Sequence, residues 1–289
     1  MNLPQKLDLN SNDWKAVQFT AIFIGSVYIL FYTSIEKTLT CLTKRGIKNE
    51  RILRQGERHK MGKYNFDEVI DRHGTDCLKY DFGMKRKGRD DLLPLWVADM
   101  DFRLPDEILD AFHKRIDHGI FGYTDPLDEY FAAMNHWFST RYGYTIEPDW
   151  VTLGAGIVYA LGTSVRAFTE KGDAMMVMQP VYYPFSEVIK NDGRRLVNCQ
   201  LRYENNHYSI DFEKMERMIL EEGVKALIFC NPHNPVGRVW TREELERVAE
   251  ICLKYNVTWM VDEMHCDFIF PGHTFTSCMN LDEKYRQIL

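Results

Sequence analysis

Residues 260 to 268 read "MVDEMHCDF". An apolar run, Thr258 to Val261, meets Asp262, Glu263, His265 and Asp267 within six residues. Three carboxylates and an imidazole at that spacing suit a metal site, a solvated strand end, or the counter-charge of a cationic ligand. His265 and Asp267 are metal donors of the right type. No second histidine stands at a helical or strand spacing that would close a site, so no metal is expected. Asp262 follows four uncharged residues and is expected to be buried. A buried carboxylate needs a cation or strong donors, and the protonated pyridine nitrogen of a cofactor is one such cation.

Two other stretches carry residues of the same kind. In "TLGAGIVYAL" the glycines 154 and 156 let the backbone approach a ligand closely. The free N–H groups of the following helical turn favour a phosphate. A plain strand-to-helix turn explains this stretch as well. It lacks both G-x-x-x-x-G-K-[ST] and a full G-x-G-x-x-G, which disfavours nucleotide and dinucleotide enzymes. In "CNPHNPVG", Asn231 and Asn234 each precede a proline, which holds them away from helical backbone angles, and a rigid Asn amide can hydrogen-bond a ring oxygen. In "QPVYYPF", Tyr182 and Tyr183 stand between prolines, where a tyrosine can stack on a flat ring or join the core.

The elements that must position these residues are legible from periodicity. "PDEILDAFHKRIDHG", with Ile108, Leu109, Phe112 and Ile116 on one face, and "PLDEYFAAMNHWFSTRYG" read as amphipathic helices. "WVTLGAG" reads as a strand running into a helix from Ile157, followed by the strand "AMMVMQP", a helix from Pro184 to Asn191, and the strand "RLVNCQL". After a polar turn come the helix "DFEKMERMILEEG", the buried strand "KALIFCNP", the helix "TREELERVAEICLKYN" with Thr241 and Glu244 as a capping box, and the strand "VTWMVDE". Short apolar strands separated by amphipathic helices predict an α/β fold with a mostly parallel sheet covered on both faces. Ligands of such sheets bind at the carboxyl ends of strands, where all three stretches fall.

Composition narrows the class. The chain has 289 residues, 45% of them hydrophobic, and a net charge of −6 that gives no footprint for nucleic acid. Seven scattered cysteines without a C-x-x-C pair suggest reduced thiols in the cytoplasm. Residues 1–60 read as an N-terminal extension. Within it, 16–35 is a 20-residue stretch without formal charge and a candidate transmembrane helix, or membrane anchor, that would leave the bulk of the chain in the cytoplasm. Gln18, Thr20, Ser26, Thr33 and Ser34 weaken that reading. Met61 opens a stretch that reads as a natural start, so the extension is equally open to being foreign to the rest. Residues 61–104 read as an N-terminal arm and part of a small domain, and 105–289 as an incomplete large domain.

Taken together, "LPLWVADMDF", "FGYTDP", "NPHNPVG" followed by "W-T-x-E-E-L", and "VDEMHCDF" resemble fold-type I pyridoxal 5′-phosphate (PLP) enzymes of the class I/II aminotransferase superfamily, in particular the cystathionine β-lyase-like C–S lyases. The resemblance runs from about Tyr64 to Leu289. It implies the large domain of that fold, with Asp262 paired to the pyridine nitrogen, Asn234 on the ring 3-oxygen and Tyr182 stacked on the ring. The amides of Ile157 and Val158 would hold the phosphate, and Tyr123 would reach the phosphate of a neighbouring subunit in a homodimer. His265 stands where many aminotransferases carry Tyr, as is common in the lyases.

The implied activity is β-elimination from an amino-acid thioether, either cystathionine or a cysteine S-conjugate, giving thiol, pyruvate and ammonia. An aminotransferase or a non-catalytic PLP-binding protein are the alternatives. In this family the lysine that holds the cofactor lies in a Ser/Lys motif some thirty residues beyond the Asp, whereas the chain ends at Leu289, 27 residues after Asp262. Lys284 lacks the motif and is not assigned the role. The expectation is therefore a C-terminally truncated chain, without its catalytic lysine and most of its small domain, inactive by itself. Glu263 and Asp267 are expected at the structural edge of the site.

Overall fold

The computed structural model describes residues 64–89 and 91–289. These fall into two compact units, one running to Thr124 and the other spanning Asp125–Leu289. The first holds helices α1 (Gly83–Lys87) and α2 (Asp106–His118). Its polar centre is a charge cluster. Arg72 reaches Asp99 and Asp101 at 2.5 Å each, and the buried Lys79 donates to the Asp99 carbonyl at 2.7 Å and to Asp101 Oδ2 at 3.1 Å. Both aspartates of "VADMDF" are thereby engaged within this unit. No residue of α2 is fully buried: of its expected apolar face, Ile108 and Leu109 are half-buried, whereas Phe112 and Ile116 stay exposed.

The second unit begins with α3 (Asp128–Tyr142), closed by Gly143 in the left-handed region at φ 76°, and α4 (Ile157–Phe168). Strand β1 (Ala174–Val177), helix α5 (Pro184–Asn191) and strand β2 (Arg195–Asn198) follow. A hairpin of β3 (Arg202–Glu204) and β4 (His207–Ser209) precedes α6 (Phe212–Glu222), β5 (Val224–Cys230), α7 (Arg242–Tyr255) and β6 (Thr258–Asp262). Asp211 caps α6 by accepting from Lys214 N, and Thr241 with Glu244 forms the expected capping box on α7. Residues 151–156, expected as a strand, form none. Val151 packs against the cluster of Met134, Phe138 and Ile146, outside the main sheet, and Leu153 is exposed, so the run has no sheet surface to join.

The main sheet has the order β2-β1-β5-β6, all parallel. The alternation of side chains sorts the core. Met176, Leu227, Phe229 and Trp259 point to the face covered by α6 and α7, and Met175, Val177, Ala226 and Ile228 to the face covered by α4 and α5. Each large side chain so buried stabilises the fold by about 1.5–3 kcal/mol. The chain leaves β1 towards β2 on one side and returns to β5 on the other, so the strand order reverses between β1 and β5. Their pairing is lost beyond Met176 and Leu227, while β5 stays paired with β6 as far as Cys230 and Asp262. The opening beyond β1 and β5 is the place where such sheets bind ligands.

The expectation of a transmembrane helix is corrected. Among the described residues no helix is long and apolar enough to cross a membrane. The longest of them, α3, has 15 residues where about 20 are needed. Residues 16–35 themselves lie outside the described residues.

Candidate cofactor site

Asp262 ends β6 and is 4% exposed. Its Oδ1 accepts the Met264 N–H at 2.9 Å, and Oδ2 has no donor among the described residues. Burial pushes the carboxyl above its usual range, against the pull of the Met264 N–H and of His265. The site thus holds a desolvated acid short of a cationic partner.

Asn234, in the loop after β5, places its Nδ2 3.4 Å from His265 Nε2. Tyr182, half-buried after β1, packs edge-on to Tyr183 and Phe185, with ring centroids 5.6 and 6.0 Å away. Burial first, then Tyr183 and the Asp262 carboxylate, raises its phenol above the ordinary value, so Tyr182 lies within electrostatic reach of Asp262. Helix α4 packs on β6 and starts from Gly156 at φ 117°, ψ 165°, with no side-chain cap. The N–H groups of Ile157 and Val158 have no acceptor among the described residues. The ends of β1, β5 and β6 and the start of α4 therefore gather Tyr182, Asn234, Asp262, His265, Ile157 and Val158 within one unit. Tyr123 belongs to the other unit and is fully exposed.

The remaining acids of the opening stretch are engaged in the frame. Glu263 Oε1 accepts from Cys278 N at 2.8 Å and from Asn231 Nδ2 at 3.2 Å, while Oε2 accepts from Ser277 Oγ at 2.7 Å. Burial raises its carboxyl and these donors oppose the rise. Asp267 accepts from the Tyr142 hydroxyl at the end of α3. Among the described residues no cluster of His, Cys, Asp and Glu is arranged to hold a metal ion.

Sequence reasoning missed the ties between strand ends. Asn231 is fully buried and donates its N–H to the Asp262 carbonyl at 2.9 Å and its amide to Thr276 O at 2.9 Å. His233 Nε2 lies 3.0 Å from Pro180 O. The only signal for either was position, between prolines at the end of a buried strand.

Comparison with known proteins gives the family. The sequence profile described as Aminotransferase class I and II matches residues 90–289. Cystathionine beta-lyase PatB of Bacillus subtilis is 42% identical over 78% of this chain and 58% of its own length. Cystalysin from Treponema denticola, whose crystal structure contains pyridoxal 5′-phosphate, superposes with a TM-score of 0.72 at 38% identity, over 77% of this chain and 57% of its own. The PLP-bound C-S lyase from Staphylococcus hominis superposes with a TM-score of 0.70 at 34% identity, over 74% and 55% respectively. The chain thus spans a little more than half the length of these relatives. An α/β sheet whose strand ends converge on a buried aspartate, together with a profile match running from residue 90 to the last residue, makes this chain a member of the class I and II aminotransferase family of PLP-dependent enzymes.

Proposed function

We propose that this chain supplies the PLP-binding part of a carbon–sulfur β-lyase. Its substrate would be an amino-acid thioether, either cystathionine or a cysteine S-conjugate, and its products thiol, pyruvate and ammonia. The observation that carries the reading is the buried Asp262 carboxylate, with one oxygen lacking a donor, beside the uncapped N-terminus of α4. That donor set fits PLP, which presents a cationic ring nitrogen and a phosphate together. When bound, PLP supplies an electron sink for bond cleavage at the carbon beside an amino group.

The chain's own residues divide the work of holding it. Asp262 would keep the proton on the pyridine nitrogen, and that cation would in turn stabilise the carboxylate that burial disfavours. Asn234 has two amide hydrogens, one for His265 Nε2 and one for the ring 3-oxygen. His265 orients that amide. Tyr182 would stack on the ring, and the Ile157 and Val158 N–H groups would bind the phosphate. Tyr123, exposed on its own unit, is proposed to reach the phosphate bound by a second copy, which makes the working form a homodimer. No residue of this chain is assigned as the catalytic base. Lys284 is paired with Glu250 at 2.6 Å.

Histidine at 265, where many aminotransferases carry Tyr, and the 42% identity to a cystathionine beta-lyase favour elimination over transamination. The six cysteines among the described residues are unpaired, in keeping with the cytoplasm as the proposed site of action. The test is a PLP titration of the purified chain, followed by its visible absorbance, beside Asp262→Asn. Saturable binding that the variant weakens supports the cradle, and no binding by the unaltered chain would sink it. Release of pyruvate and thiol from L-cystathionine by the protein carrying this chain, as against transfer of the amino group to a keto acid, separates lyase from aminotransferase.

A further inference from the structure

His233 stands between the two Asn–Pro pairs, is 1% exposed, and is placed by its own backbone: its N–H donates to Arg238 O at 2.7 Å and its carbonyl accepts from Gly237 N at 2.8 Å. The ring lies edge-on to Trp240 and Phe229, with centroids 5.5 and 6.5 Å away. Its Nε2 is 3.0 Å from the Pro180 carbonyl oxygen. A carbonyl only accepts, so Nε2 carries the hydrogen and donates, and Nδ1 is left buried without a partner.

Sequence separation gives this bond its weight. Pro180 is two residues before Tyr182, and His233 is one residue before Asn234. Backbone pairing between β1 and β5 has already ended at Met176 and Leu227. Beyond it the two loops part, one towards α5 and the other towards α7 on the opposite face. His233 is the residue through which loop 231–238 bonds to loop 178–183: its Nε2 meets the Pro180 carbonyl, and the Met178 backbone also acts on the same ring. A packing role alone needs no donor, and an apolar ring would serve it without leaving a buried nitrogen unsatisfied.

We infer that His233 is a positioning residue for the cofactor: its Nε2–H sets the separation of the Tyr182 and Asn234 loops, and so the width of the slot that receives the flat ring. This inference rests on the PLP reading above. His233 touches neither cofactor nor substrate in this assignment and acts through Pro180 and Asn234.

The test compares the unaltered chain with His233→Gln, whose amide N–H can replace the donor, and His233→Leu, which keeps an apolar group of similar bulk without one. PLP affinity and the visible circular dichroism of the bound cofactor are read alongside hydrogen exchange of the cofactor-free chain. His233→Leu is expected to weaken PLP binding about tenfold, the worth of one buried hydrogen bond, and to alter the dichroism. It should also speed exchange in loops 178–183 and 231–238 while leaving β5 and β6 protected, and His233→Gln should restore all three readouts. Unchanged affinity and dichroism in His233→Leu, or equal losses in both variants, would overturn the inference. If the unaltered chain binds no PLP, the cofactor reading fails instead. The exchange data then still decide the bridge, because loops that exchange equally in all three chains would show that Nε2 holds nothing together.

Discussion

Asn231 donates its backbone N–H to the carbonyl oxygen of Asp262 at 2.9 Å, and the same residue's side chain reaches Glu263 Oε1 at 3.2 Å. The strand end that carries Asp262, the proposed counter-charge of the cofactor, is therefore tied to the end of β5 both directly and through its neighbour Glu263. Two adjacent carboxylates have opposite tasks, Asp262 left short of donors and Glu263 saturated with them.

Glu263 should behave as a structural clamp. Glu263→Ala strands the Ser277 hydroxyl, the Cys278 N–H and the Asn231 amide, and is expected to lower stability by about 3–5 kcal/mol. Glu263→Gln keeps an acceptor for Cys278 and Asn231 and offers a donor to the Ser277 oxygen, so its stability should stay within about 1 kcal/mol of the original. Urea unfolding midpoints of the two variants decide this, and equal losses in both would mean that the charge, not the hydrogen bonds, holds segment 277–278.

Asp262 should show the reverse pattern. Burial disfavours its charge in the cofactor-free chain, while an Asn at this position could still accept the Met264 N–H. Asp262→Asn is expected to leave the cofactor-free chain as stable as before or more stable by about 1 kcal/mol. The same change should weaken PLP binding by about 10–100-fold through loss of the charged partner. Thermal melting without PLP and a titration with it measure the two effects on one sample. A variant that melts several degrees lower would show that the carboxylate is needed for the fold itself.

Gly156 sets the angle at which α4 presents its first N–H groups. At φ 117° and ψ 165° it occupies a region that is essentially closed to residues with a Cβ, although a Cβ built there meets no atom within 4 Å. Gly156→Ala is therefore expected to cost about 1–3 kcal/mol through backbone strain alone, or to shift the start of the helix and weaken phosphate-dependent binding. Comparing PLP with pyridoxal, which lacks the phosphate, in both chains isolates the second effect. An unchanged melt together with an unchanged preference for PLP would exclude both.

Much of this arrangement is legible in the sequence, for identifiable reasons. The Asp211 and Thr241–Glu244 caps mark helix starts because only short polar side chains reach back to the first N–H groups. The parity of Met175 and Met176, or of Ile228 and Phe229, is fixed once the strands are placed. Illegible features depend on partners distant in sequence. Val151 to Leu153 looks like a strand until it is known that Val151 packs on Met134, Phe138 and Ile146 outside the sheet while Leu153 stays exposed. The Arg202–Ser209 hairpin reads as a polar turn, because its strands are held by the Tyr203–Tyr208 ring pair across Asn205 and Asn206, both at positive φ. The His233–Pro180 bond spans 53 residues and leaves no periodic trace.

His233 also gives a pH signature with a definite sign. Burial, foremost, pushes its imidazole down to about 4 from an ordinary 6.5, so at neutral pH the ring is uncharged in folded and unfolded chains alike. Between pH 6.5 and 4 the unfolded chain takes up a proton that the folded chain refuses, so stability is present in full above 6.5 and is lost as pH falls. The slope is about 1.4 kcal/mol per pH unit, for a total of about 3 kcal/mol. Asp262 and Glu263 have carboxyls raised by burial and act in the opposite sense, losing stability as pH rises, so the unaltered chain alone would mix the effects. Subtracting the stability of His233→Gln at each pH removes the contribution of the two acids, which both chains share. The difference between the chains is expected to be flat above pH 6.5 and to move steadily against the unaltered chain as pH is lowered to 4. A difference that stays flat to pH 4 would mean that the folded chain protonates His233 as readily as the unfolded one, and that the ring is not held as the neutral donor to Pro180.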